Sequence, residues 1–106
     1  MPIEISERYL VTFRAALRIN HTKFDDEISD LIAAARYDLC VLGGIKSEKV
    51  RDETDPLIKR AITSYVKAEF GLDNDDADKY RSSYEALKKH LMMSDDYRET
   101  LESGSG

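Results

Sequence analysis

The strongest constraint on the fold of this chain is the spacing of its apolar residues between positions 23 and 42. They recur at intervals of three and four, which places them on one face of an α-helix. These residues are Ile28, Leu31, Ile32, Ala35, Leu39 and Leu42. We expect this segment, capped by Thr22, to form the centre of a helical core. Gly43 and Gly44 predict its end, because glycine accepts the left-handed conformation that follows many helices.

Three further segments are typical of helices. The first covers about 6–18 and begins at Ser6, whose side chain can accept a hydrogen bond from an unpaired main-chain N–H group. The third has the clearest start, since Asp55 is a capping residue and Pro56 fits the first helical turn. The fourth runs from near Asn74 to about Met93. We therefore predict an all-α fold, a small bundle of about four helices.

Two stretches lie outside this pattern. Residues 44–54 form a long loop between helices two and three, with a short extended piece as one option and only Ile45 and Val50 to bury. Residues 94–106 are polar apart from Tyr97 and Leu101, and the last four resemble a flexible linker. We predict a helical domain at 1–93 and a flexible C-terminal tail at 94–106. The tail either becomes ordered on a partner or is a frayed terminus.

The composition excludes several classes of protein. A chain of 106 residues fits one domain, and its formal charge of −5 disfavours tight binding to the phosphate backbone of DNA. The single cysteine, Cys40, fits a small buried residue in a reducing compartment. No stretch approaches the roughly 20 apolar residues of a membrane span, and the N-terminus lacks a signal-peptide pattern. We expect a protein that stays in the cytosol where it is made.

No pattern in the chain predicts catalysis, a cofactor or a metal. His21 and His90 are isolated from other ligand residues. The acidic cluster at 73–78 lacks the glycine and the glutamate that a calcium loop needs at its sixth and twelfth positions. We therefore expect no enzymatic activity.

Three segments together resemble a known family. They are Asp55-Pro56-Leu57-Ile58-Lys59-Arg60-Ala61-Ile62 with its continuation to Asn74, the stretch from Tyr80 to Tyr97, and the stretch from Phe24 to Leu39. The pattern, over roughly residues 8–97, is similar to that of the head–tail connector proteins of tailed phages and prophages, mainly of Gram-positive bacteria. The resemblance marks a packing signature of Asp55, Pro56, Ile58, Ile62, Tyr65, Phe70, Tyr84 and Leu87.

The resemblance implies a structural virion protein, made in the host cytoplasm. About a dozen copies would form a ring under the portal protein, extend the DNA channel and offer a docking surface for the stopper or tail. Double-stranded DNA would pass through the ring without specific binding. The resemblance also places the portal contact in residues 94–102, including Tyr97 and Leu101.

A small helical DNA-binding regulator of phage origin is the alternative. Its helix-turn-helix would have to come from helices two and three. The loop between them is too long for the tight turn of that motif, and no recognition helix rich in Arg, Asn and Gln follows it.

Overall fold

The computed structural model describes residues 5–71 and 74–99, and this part of the chain is helical. It contains α1 (Glu7–Ala16), α2 (Asp25–Tyr37), α3 (Ser47–Val50), α4 (Pro56–Glu69) and α5 (Ala77–Met92). A π-helical segment, Asp38–Leu42, continues α2 without a break. The described residues contain no strand beyond one isolated bridge, so the all-α prediction is confirmed.

Two of the predicted helix starts are confirmed by their capping bonds. The Ser6 hydroxyl accepts a hydrogen bond from the Tyr9 main-chain N–H at 3.1 Å, which begins α1. One carboxylate oxygen of Asp55 accepts from the N–H groups of Leu57 and Ile58, each at 3.0 Å. Such bonds satisfy donors that have no partner within the helix.

The predicted cap of α2 is wrong. The helix begins at Asp25 and follows Phe24, with no side-chain capping bond; Thr22 contributes only its main-chain oxygen, which accepts from the Asp25 N–H at 3.2 Å. Three acidic residues fill the first turn instead, namely Asp25, Asp26 and Glu27. Their negative charge interacts favourably with the partial positive charge of the helix N-terminus.

The π-helical segment changes which side chains face the core. The Gly43 N–H donates to the Asp38 oxygen at 2.9 Å, a step of five residues rather than four. Leu39 remains fully buried, whereas Leu42 is 65% exposed. The prediction that Leu42 belongs to the buried face is therefore wrong, because it assumed regular α-helical spacing. A β-carbon at Gly43 would lie 2.7 Å from the Leu39 oxygen, so this close turn needs glycine.

The break between α2 and α4 contains a short helix, α3, and one extended position, Ile45, which forms the isolated bridge with Arg98. Ile45 and Val50 are buried in the core, as the sequence predicted. Their side chains anchor the segment to the core of the bundle. It is therefore an ordered part of the domain.

The core lies between α2 and α4, with α1 packed on α2 and α5 packed on α4. Its fully buried large side chains come from every helix and from the loop before α3: Phe13, Ile28, Ile32, Leu39, Ile45, Ile58, Ile62, Leu91, Val50 and Val66. The described residues form an elongated body with principal extents of 49 × 28 × 20 Å. Much of the surface of α2 and α5 therefore remains open to solvent.

Candidate functional site

Seven of the eight residues of the packing signature lie in the core or at its edge, and Pro56 is exposed. Ile58 and Ile62 of α4 are fully buried. Tyr65, Phe70 and Leu87 pack partly buried against the core. These contacts hold α4 between its neighbours.

Tyr84 attaches α5 to the end of α2. Its hydroxyl donates to the Asp38 carboxylate, which also accepts from the Lys88 ammonium at 2.9 Å. Burial and this neighbouring carboxylate raise the pKa of Tyr84 well above its ordinary value, because both disfavour the phenolate. The ring of Tyr84 also meets that of Tyr65 edge-on, with the ring centroids 5.1 Å apart.

The structure brings Tyr97 onto the capping residue of α4. The Tyr97 hydroxyl donates to the Asp55 carboxylate at 3.0 and 3.2 Å. Partial burial and the Asp55 carboxylate raise the pKa of Tyr97 above its ordinary value. The ammonium of Lys49 lies 5.1 Å from the ring centroid, within the range of a cation–π contact.

Main-chain hydrogen bonds reinforce this contact. The Lys46 N–H donates to the Tyr97 oxygen and the Glu99 N–H donates to the Gly44 oxygen, both at 2.7 Å. We call residues 97–99 the docked segment. These residues fall within the tail predicted at 94–106, and in the structure they are hydrogen-bonded to the helical domain. Leu101, the other predicted portal contact, lies outside the described residues.

A buried cation that the sequence analysis did not identify joins α1, α2 and the loop before α4. The Arg36 side chain is 7% exposed and approaches the Glu53 carboxylate at 3.8 Å. Glu53 in turn accepts from the Ser6 N–H at 3.0 Å, while the Arg36 guanidinium lies 5.5 Å from the Tyr9 ring centroid. Burial raises the pKa of Tyr9 to about 12, against the opposing effect of the Arg36 charge. The arrangement fixes the N-terminus of α1.

Large apolar side chains remain exposed at the end of α2 and its π-helical continuation and at the C-terminal end of α5. We call them the distal patch: Tyr37, Val41, Leu42, Met92 and Met93. An open groove of about 930 Å³ runs beside it, and its lining includes Leu42, Ala86 and Met92. Charged side chains complete the lining: Asp78, Arg81, Glu85, Lys88 and Lys89. A surface of this kind is typical of a contact with another protein.

A second exposed apolar side chain lies at the other end of α2. Phe24 is 42% exposed. The Phe24 ring is supported by His21 and Phe70, with centroid distances of 5.4 and 5.5 Å. We call the Phe24 ring the proximal knob. Neither the knob nor the distal patch was predicted, because apolar periodicity does not show which apolar residues stay exposed.

Two further properties of the described residues bear on the class of protein. No group of three or more His, Cys, Asp or Glu side chains is placed there to hold a metal ion. In the same part of the chain, every helix is too short or too polar to cross a membrane.

Comparison with known proteins identifies the family. The family described as phage connector protein matches residues 10–98, which is most of the chain and includes α2, α3, α4, α5 and the first two residues of the docked segment. No curated protein and no solved structure matches the chain. The chain therefore belongs to the phage connector protein family and is a structural head–tail connector of a phage particle.

Proposed function

We propose that about a dozen copies of this protein form a ring beneath the portal protein, where the ring extends the DNA channel and provides the docking surface for the stopper or tail. The observation that carries this proposal is the family match over residues 10–98. The exposed apolar side chains at both ends of α2 support it, because an assembly subunit needs surfaces that its own core leaves open.

The charge of the chain suits a channel through which DNA passes without being held. Each copy has a formal charge of −5. A ring of about twelve copies would therefore carry on the order of −60, and like charge keeps passing phosphates from binding the wall. The DNA would slide through without specific contacts.

The C-terminal residues are the proposed portal contact, as a tail that follows the helical domain. Tyr97 is held on Asp55, so it fixes where the chain leaves the domain. The following residues, with Leu101 as their apolar anchor, would then reach the portal. Assembly on the portal would take place in the host cytoplasm, and a Gram-positive host remains our prediction from the resemblance.

The direct test is to mix the purified full chain with portal-bearing, DNA-filled capsids and to image the vertex by electron microscopy. We expect a ring of density under the portal. A chain ending after Glu99 keeps the docked segment and should lose docking, because it lacks Leu101. A chain ending after Glu102 removes only the final Ser-Gly-Ser-Gly and is the matched control, which should dock normally.

Two outcomes would contradict the proposal. A capsid vertex without added density would refute the ring. Equal docking by the two truncated chains would refute the portal contact at Leu101 and leave the ring in place.

A further inference from the structure

We propose that neighbouring copies in the ring meet head to tail, with the proximal knob of one copy seated in the groove beside the distal patch of the next. The occupant of the groove is therefore a second copy of this chain. The inference rests on the proposed ring and adds which two surfaces meet.

The two surfaces lie at opposite ends of one continuous helix. Phe24 precedes the first residue of α2, and Leu42 is the last residue of its π-helical continuation. A helical rod of this length separates them by roughly 25 Å. A contact that propagates from copy to copy needs two different surfaces, each facing the other's counterpart. Exposed apolar groups at opposite ends of one rod meet this requirement.

The two surfaces also have apolar groups that can pack against each other. The knob is an aromatic ring, held from behind by Phe70. The groove has Leu42, Ala86 and the Met92 thioether in its lining. Thioethers adapt to irregular neighbours and make favourable contacts with aromatic rings. Burying the knob there would remove apolar area from water on both copies.

The charges beside the two surfaces can also form pairs between neighbouring copies. Asp26 and Glu27 are exposed on the first turn of α2, close to Phe24, and enter no ion pair among the described residues. The groove lining holds three cations against the carboxylates of Asp78 and Glu85. Asp78 is already paired with Arg81 at 3.1 Å. Lys89 is the exposed cation of the groove that enters no ion pair among residues 5–71 and 74–99, so it is the best partner for Glu27.

Charge reversal and rescue test the contact in the capsid assay described above. Lys89→Glu and Glu27→Lys should each reduce the fraction of capsids with a ring by about fivefold or more, because each places like charges together. The double variant should restore the ring, since it exchanges the two signs. Lys79→Glu, on the same helix but outside the groove lining, is the matched control and should leave ring formation unchanged.

Cross-linking tests the apolar part. In a Cys40→Ala background, Phe24→Cys and Met92→Cys combined in one chain should give a ladder of disulfide-linked copies when capsid-bound rings are oxidised. Each cysteine alone should give no ladder, because the pairing joins two different positions.

The outcomes separate this inference from the proposed function. A ring that forms normally with both single charge reversals and yields no ladder would overturn the knob-in-groove contact alone. If the single charge-reversal variants form intact rings that no longer bind the stopper or tail, the contact is also overturned, because the groove would then be the binding site of that partner. If the unaltered chain forms no ring, both the proposed function and this contact fail.

Discussion

Helices α4 and α5 are similar in length but differ in how the rest of the chain covers them. The 14 residues of α4 include five buried ones, Ile58, Ala61, Ile62, Val66 and Ala68. The 16 residues of α5 include two, Tyr84 and Leu91. The helix α4 packs against both α2 and α5, whereas α5 is covered mainly by α4.

The two helices therefore have different roles within one small domain. The apolar residues of α4 stabilise the fold, because nearly every one of them packs against a neighbour inside the chain. The outer side of α5 lines the groove with charged and apolar groups that the chain itself does not cover. The packing of the core and the proposed assembly surface therefore come from adjacent helices, and changes in one need not disturb the other.

Truncating one side chain in each helix tests this difference most directly. Ile62→Ala removes a fully buried side chain from α4 and should lower the free energy of unfolding by about 2–5 kcal/mol, through lost burial and the cavity left behind. Leu87→Ala removes a partly buried one from α5 and should cost about 1 kcal/mol. Urea unfolding followed by circular dichroism measures both. Equal losses would show that α5 is as deeply integrated as α4.

A smaller loss of stability is expected when the hydrogen bond that attaches α5 is removed. Tyr84→Phe keeps the ring but removes the hydrogen bond to Asp38, so stability should fall by about 1–2 kcal/mol. Tyr65→Phe is the matched control, since the Tyr65 ring packs against Tyr84 while its hydroxyl forms no side-chain hydrogen bond among the described residues. It should change stability by less than about 0.5 kcal/mol. A loss of equal size in the two variants would assign the effect to ring packing instead.

The smallest effect is an alkaline weakening of the same attachment. The pKa of Tyr84 is raised in the folded chain, so above its ordinary value the unfolded chain releases the proton while the folded chain retains it. Stability is therefore complete below about pH 10 and falls as the pH rises, by less than about 1 kcal/mol at pH 10.5 for one tyrosine.

Tyr84→Phe should show a shallower fall over this range, with the remainder due to Tyr9, Tyr65 and Tyr97, whose pKa values are also raised. Urea unfolding at pH 8, 9.5 and 10.5 measures the slope. Identical slopes for the unaltered chain and the Tyr84→Phe variant would exclude Tyr84 as the titrating group.

The parts of the fold that the sequence predicted are those set by local chemistry. The start of α4 was predictable because capping by Asp55 and the fixed backbone of Pro56 act within one turn. The apolar spacing likewise located Ile28, Ile32 and Leu39 in the core. Both signals are contained in a few neighbouring residues.

The remaining features depend on the tertiary structure. The docked segment is held by main-chain bonds to Gly44 and Lys46, and main-chain groups leave no trace in a pattern of side chains. The exposure of Leu42 follows from the π-helical turn, whereas apolar spacing assumes a constant number of residues per turn. Tyr97 was recognised as important, but its partner Asp55 is 42 positions away in the chain.

The π-helical turn also makes the surface adjustable by insertion or deletion. Such a turn holds one residue more than the α-helical turn it replaces. Removing a single residue between Asp38 and Leu42 would let α2 run on as a regular helix and would leave Gly43 at nearly the same angle around the helix axis, because the π-helical turn absorbs that one residue. A one-codon deletion could thus change which side chains this turn exposes while Ile28 and Ile32 keep their places in the core.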